Sequence, residues 1–155
     1  MGIVWHGSPK NTLNQFRSIP LDSFLPLIRV PGVQFFSLQV GPGSEQLRTV
    51  PFGAELIDLA SFITDFADTA AAIANLDLVI SIDTAVAHLA GAIGQPAWTI
   101  LSYAPDFRWL RQRLDSPWYP TMRLFRQPRM GDWQSPIQQA AEALQALVQQ
   151  SQKHH

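Results

Sequence analysis

The chain of 155 residues contains no cysteine. Disulfides and thiolate metal sites are therefore excluded. It is also poor in charge: 15% of its residues are charged and the formal net charge is −1. That balance exerts no overall pull toward nucleic acid or an anionic membrane. No apolar run approaches the roughly 20 residues that span a bilayer. Nothing at the amino terminus resembles a signal peptide, so a cytoplasmic location is expected. The Gly-x-Gly-x-x-Gly fingerprint is missing after the first apolar run, and so is the Gly-x-x-x-x-Gly-Lys-Ser/Thr spacing. A dinucleotide enzyme and a P-loop are thereby disfavoured. There is no internal repeat and no low-complexity linker. What remains is a chain that is 46% hydrophobic, with a length suited to one domain. We expect that domain over residues 1–150, with 151–155 as a disordered tail or tag remnant ending in His154-His155. Met1-Gly2 leads almost directly into a strand, so a piece of a longer protein is also expected.

The most informative stretch runs from Asp77 to Leu101. Leu78 to Ile82 is short, apolar and rich in β-branched residues, as suits a strand buried on both faces. After Asp83-Thr84 the period changes. Ala85, Val86, Leu89, Ala90 and Ile93 fall at helical spacing, Gly94 occupies a C-cap position and Pro96 blocks continuation. Ala97 to Leu101 reads as a second buried strand. The whole is a compact βαβ unit with parallel pairing. Asp83 is expected as the helix N-cap. The amides of Thr84, Ala85 and Val86, with the positive end of the helix dipole, suit an anion such as phosphate. Thr84 adds a hydroxyl, Ala85 leaves room for a ligand, and His88 lies one turn on, on the same face. Taken alone, a capped helix after a strand is common in α/β proteins that bind nothing there, and a lone histidine is more often packed than ligating.

The remaining elements follow in order. Ile3 to His6 is a strand, and the polar turn Gly7–Thr12 follows it. A loop in that place is where α/β sheets bind ligands. There Gly7 permits close approach, Ser8 and Thr12 offer hydroxyls, and Lys10 and Arg17 offer charge. Leu21 to Ile28 reads as a short helix disturbed by Pro26. Val33 to Leu38 and Leu56 to Leu59 read as strands, with a small helix starting near Ser44. Ile63 to Asp68 reads as a loop, and Asp68 or Thr69 as the cap of a helix from Thr69 to Asn75. From Ser102 to Arg129 arginines alternate with aromatics, and six of the eleven basic residues lie there. Such interleaving can hold single-stranded nucleic acid. Asp106, Asp115 and Asp132 interrupt it, however, and the chain as a whole is not basic, so a solvated helix face with buried tryptophans is expected and no nucleic-acid partner. Met122 to Phe125 reads as the last strand. Ser135-Pro136-Ile137-Gln138 reads as the start of a closing amphipathic helix.

These elements predict an α/β fold: a Rossmann-like three-layer α/β/α domain on a mostly parallel sheet of about six strands. If Val79–Ile82 pairs with Ile3–His6, the Gly7–Lys10 loop and the Thr84–Val86 amides share one crevice at the topological switch point.

The run from Leu78 to Pro96 resembles the nucleotide-sugar motif of heptosyltransferase-like glycosyltransferases (family 9). It is closer still to the glycosyltransferase-like domain that follows tetratricopeptide repeats in bacterial proteins. Val4–Lys10, Arg17–Leu21, Asp65–Ala70 and Asp115–Gln127 fit the same group in the same order. The likeness extends from about Gly2 to Leu147. It implies one half of a GT-B fold, the donor-binding half, which would bind a nucleotide diphosphate-sugar as substrate, without metal or cofactor. Carried over, Thr84 and Ala85 would hold the diphosphate through their amides, with Asp83 as supporting cap and His88 beside the phosphates. Ser8 and Lys10 would touch phosphate or sugar, Phe66 would lie by the base and Gln39 near the ribose. The related enzymes carry an acidic residue around that last position, so the nucleotide is left open. Partners implied are a missing N-terminal GT-B domain, which would supply the catalytic base, or tetratricopeptide repeats. A module that keeps this fold as an interaction scaffold is the alternative.

Overall fold

The computed structural model describes residues 1–154; the terminal His155, part of the expected tail, lies outside the described residues. Six strands form one sheet: β1 (Gly2–Val4), β2 (Phe36–Ser37), β3 (Ile57–Asp58), β4 (Val79–Ile82), β5 (Ala97–Leu101) and β6 (Met122–Arg126). Their spatial order is β3-β2-β1-β4-β5-β6, and every neighbouring pair is parallel. This is a Rossmann-like arrangement, with the reversal of order at β1 and β4. Gly2 to Val4 pair with Val79 to Ser81, so the two strands anticipated as neighbours are neighbours, although β1 begins one residue before the expected Ile3 and ends at Val4, short of His6.

The two faces of the sheet are covered by different elements. Because side chains alternate along a strand, Ile3, Ile80, Ile82, Trp98, Ile100 and Phe125 face one way. They pack under a turn of 3-10 helix at Leu21–Phe24, α2 (Leu25–Ile28) and α5 (Gln134–Lys153). Val4, Val79, Ala97, Leu101, Met122 and Leu124 face the other way, against α3 (Phe66–Ala74) and α4 (Ala85–Ala92). The predicted three layers are present. β2 and β3 are shorter than the pattern predicts, two residues each. Between β1 and α2 a further four-residue helix, α1 (Asn14–Arg17), occupies a stretch with no periodic apolar signal.

Several predicted helix ends differ. Asp65, not Asp68 or Thr69, caps α3: its carboxylate accepts the Asp68 amide, so the helix begins at Phe66. Asp68 instead accepts from the Thr64 amide and hydroxyl at 2.8 and 2.5 Å. At α5 the capping carboxylate is Asp132, which accepts from the Ser135 amide (3.0 Å) and hydroxyl (2.6 Å). The helix therefore starts one residue before Ser135, and it runs to Lys153, so residues 151–153 are helical and not a tail. The arginine-rich segment from Ser102 to Arg129 contains a 3-10 turn, Phe107–Trp109, and strand β6, with irregular stretches around them. It is no helix face. Trp109 is buried as expected, whereas Trp118 is exposed.

Ile80 lies at the centre of the sheet with no exposed surface. Ile80→Ala is expected to cost about 2–5 kcal/mol, read as a lower urea midpoint with an unchanged slope. The serine hydrogen bonds hold the Asp132 carboxyl below its ordinary value of 3.8. Its contribution is therefore present above that ordinary value and is lost as pH falls through the depressed folded value. Asp132→Ala should lower Tm at neutral pH, and the difference from the parent protein should shrink in thermal melts taken below about pH 3.

Candidate functional site

Parallel strands end together, so the loops after β1, β2 and β4 rise from the same edge of the sheet. They enclose a cavity of about 740 Å³. Eight of the ten residues singled out in the sequence line it: Gly7, Ser8, Lys10, Arg17, Gln39, Phe66, Thr84 and Ala85. Val40, Ile63 and Val86 add apolar wall, and Thr64, Asp65 and Thr69 add polar wall from the start of α3.

The N-terminus of α4 differs from those of the longer helices α3 and α5, where an aspartate accepts a first-turn amide. Thr84 is the N-cap residue and no side chain caps the helix. The Ser81 hydroxyl donates to the Ile82 carbonyl at 2.7 Å and lies 2.9 Å from the Thr84 hydroxyl. One hydroxyl has one proton, so Thr84 donates to Ser81 and is unavailable as a donor to a ligand. The expected capping by Asp83 does not occur. Its carboxylate turns toward His88, with Oδ1 3.4 Å from Nε2. The geometry there does not make a hydrogen bond, and Nε2 is buried without one. With neither Asp83 nor Thr84 on the first-turn amides, those amides and the helix dipole face the cavity wall formed by Thr84, Ala85 and Val86.

His88 is not on the cavity wall. Its Nδ1 lies 3.0 Å from the Tyr119 hydroxyl, and its ring stacks on Trp109 at 5.0 Å between centroids. Tyr119 fits because residue 91 is glycine: a Cβ there would stand 2.4 Å from the tyrosine ring. Spacing alone placed His88 one turn above Thr84, but could not show that a tryptophan and a tyrosine from beyond β5 hold it.

Gly7 and Gln39 also serve the protein first. A Cβ on Gly7 would meet Asn14 Oδ1 at 2.3 Å and Arg17 Nε at 2.7 Å. The close approach that requires glycine is thus made by α1, not by a ligand. The Gly7 amide donates to Ser18 Oγ at 3.1 Å, and Ser18 donates to Asn14 Oδ1. Gln39 is 4% exposed. Its Oε1 accepts the Trp5 and His6 amides, and its Nε2 donates to the His6 and Pro42 carbonyls. An amide side chain offers little beyond these four bonds, so Gln39 shapes the wall by tying the end of β1 to the loop after β2.

Lys10 and Arg17 are the cations at this cavity, and among the described residues neither takes part in an ion pair. Arg17 Nε is buried with no acceptor. An apolar pocket at strand ends, an uncapped helix start and two unpaired cations are suited to a flat ring system joined to an anion.

Residues 45–148 match the model of glycosyltransferase family 9 (heptosyltransferase). The chain belongs to that family. It is also 31% identical over 152 residues to Protein FlbA of Caulobacter vibrioides, an alignment covering 93% of this chain and 24% of the relative. The family 9 chain described here thus spans about a quarter of the length of that relative. No solved structure matches it. Within the family 9 chain, among the described residues, no helix is long and apolar enough to cross a membrane.

Replacing Gln39 by alanine would strand the buried Trp5 amide and its neighbour at the cavity edge. A loss of about 1–3 kcal/mol per unsatisfied buried group is expected. Chemical denaturation of Gln39→Ala, with Gln39→Glu as a partner that keeps the shape and loses the two donated bonds, measures it.

Proposed function

We propose that this chain is the donor-binding half of a glycosyltransferase with two facing domains, and that it binds a nucleotide diphosphate-sugar without turning it over alone. The observation that carries the reading is the uncapped start of α4 on the wall of a cavity shared with Lys10 and Arg17. Membership of glycosyltransferase family 9 supports it. In this reading the nucleoside lies among Val40, Ile63 and Phe66, and the diphosphate meets the Ala85 and Val86 amides, with Lys10 and Arg17 neutralising its charge. Ser8 lines the same wall. Backbone amides and cations aimed at a departing diphosphate would stabilise the charge that develops as the glycosyl bond breaks. The catalytic base and the acceptor site belong to a second domain or to other parts of a longer polypeptide, with tetratricopeptide repeats as one such part.

A second reading is an interaction module that keeps the fold. It draws on the exposed apolar side chains Phe107, Leu114, Trp118 and Met130 around the arginine-rich segment. Ligand binding separates the two. In thermal-shift and NMR titrations with UDP, GDP and ADP, one nucleotide is expected to bind saturably and to move the amide signals of Gly7 and Thr84. Thr84→Arg, which fills the helix start, should weaken that binding by more than about tenfold. Absence of binding by all three at millimolar concentration would leave the scaffold reading.

A further inference from the structure

The outer edge of the sheet carries a groove that the donor-binding reading does not use. β6 is the last strand, and α5 packs beside it. On the far side the Leu124 amide donates to the Leu114 carbonyl at 2.8 Å, which pins the preceding segment along the free edge of β6. Between α5 and Leu114 lies a groove of about 520 Å³, with Trp98 and Phe125 on its wall. It shares no lining residue with the cavity beside α4. α5 presents Glu142, Ala143, Ala146, Leu147 and Gln150 to it, at the three- and four-residue spacing of one helix stripe. A different stripe, Ile137, Ala140, Ala141 and Leu144, is the buried one. Leu114 is 69% exposed and Leu147 38% exposed, so the groove has apolar side chains on both banks.

Two opposite charges line this groove without ionic partners. Arg123 Cζ stands 4.8 Å from the centre of the Phe125 ring and 5.6 Å from that of Trp98, a cation–π arrangement that holds the guanidinium in place. Among the described residues it joins no ion pair. Asp115 bridges to the Arg123 backbone, but its carboxylate is engaged by Arg113 at two points, both 2.9 Å. Glu142 accepts from a neutral donor, Gln138 Nε2, at 3.2 Å, and among the described residues it too joins no ion pair. The two charges share a groove and do not meet.

Such a surface is complementary to itself. About a two-fold axis, residue i of one copy meets residue j of the other and j meets i. An acidic peptide in the groove would satisfy Arg123 and face Glu142 with a like charge, and a basic one would do the reverse. A second copy satisfies both. We propose that the groove between α5 and β6 is a self-association surface, in which two copies of this chain pack α5 against α5 about a two-fold axis and each Glu142 pairs with the partner's Arg123. Ala143 and Ala146 let the two helices approach closely, and Leu114 and Leu147 supply apolar contact. The charge pairs fix the register and disfavour other partners. This inference is independent of the donor-binding reading.

The test is light scattering after size exclusion, with sedimentation over a concentration series of the whole chain. A dimer in the micromolar range is expected. Glu142→Arg and Arg123→Glu each set like charges against each other twice, and each should weaken the dimer by more than about tenfold. An equimolar mixture of the two variants should recover a dimer, because every mixed pair then contains two opposite-charge contacts. Glu142 is an exposed helical residue, so its reversal should leave Tm within a few degrees of the parent's. A parent chain that stays monomeric to about 1 mM overturns the proposal and leaves the groove to a charged peptide. A dimer that survives Glu142→Arg overturns it too, since the copies then meet through another face. So does a mixture that stays monomeric while both variants melt as the parent does.

Discussion

β1 and β4 lie side by side in the sheet although more than 70 residues of chain separate them. The remaining strands are added outward from this pair, β2 and β3 on one side and β5 and β6 on the other. The connections leaving the pair must therefore run to opposite sides, and a crevice opens above it. The Gly7–Lys10 loop and the start of α4 face each other across that crevice because of strand order alone. The cavity at this edge exists for the same reason: the loops after β1, β2, β3 and β4 wall it.

Within that frame, the proposed binding capacity rests on a missing cap. α3 and α5 each have an aspartate on their first-turn amides, Asp65 and Asp132. Such a cap is worth about 0.5–2 kcal/mol to a helix. α4 has an aspartate and a threonine next to its start and uses neither. The cost in stability is offset by burial: Ala87 and Ala90 pack against the sheet with no exposed surface. Small side chains there let the helix lie close to β4 and β5, so packing holds a helix whose first turn no side chain caps.

The sequence was legible where a residue's own period decides its place. β5 occupies the predicted Ala97–Leu101, and β4 begins one residue late, because uninterrupted apolar strands carry both pattern and β-propensity. Eight of the ten chosen residues came together because a parallel sheet gathers its carboxyl-end loops in one place. What failed was local competition between neighbouring polar groups. Asp83 and Thr84 can both serve as N-cap; the backbone makes Thr84 the N-cap residue, while Ser81 engages its hydroxyl and Asp83 lies beside His88. Asp65 and Asp68 pose the same ambiguity, resolved by Thr64. α1 was hidden because Asn14–Arg17 buries no residue, so it imposes no apolar period.

His88 shows how a residue can govern a binding site without facing it. Its ring is fixed from three sides, by Trp109, Tyr119 and Asp83. A neutral imidazole carries one N–H and one acceptor nitrogen. With an ionised carboxylate beside Nε2, the proton belongs on Nε2, and Nδ1 accepts from the Tyr119 hydroxyl. Asp83 Oδ1 stands 3.4 Å from that nitrogen, and the carboxylate is not on the first turn of α4. Were Asp83 released, it would stand one residue before the N-cap, with free amides and a positive dipole in front of it, and a carboxylate there would compete with any phosphate. In the donor-binding reading, the Gly91–Tyr119–His88 contact therefore bears on the proposed anion site indirectly: it sits beside a negative charge that stands away from the place where the ligand's negative charge would go.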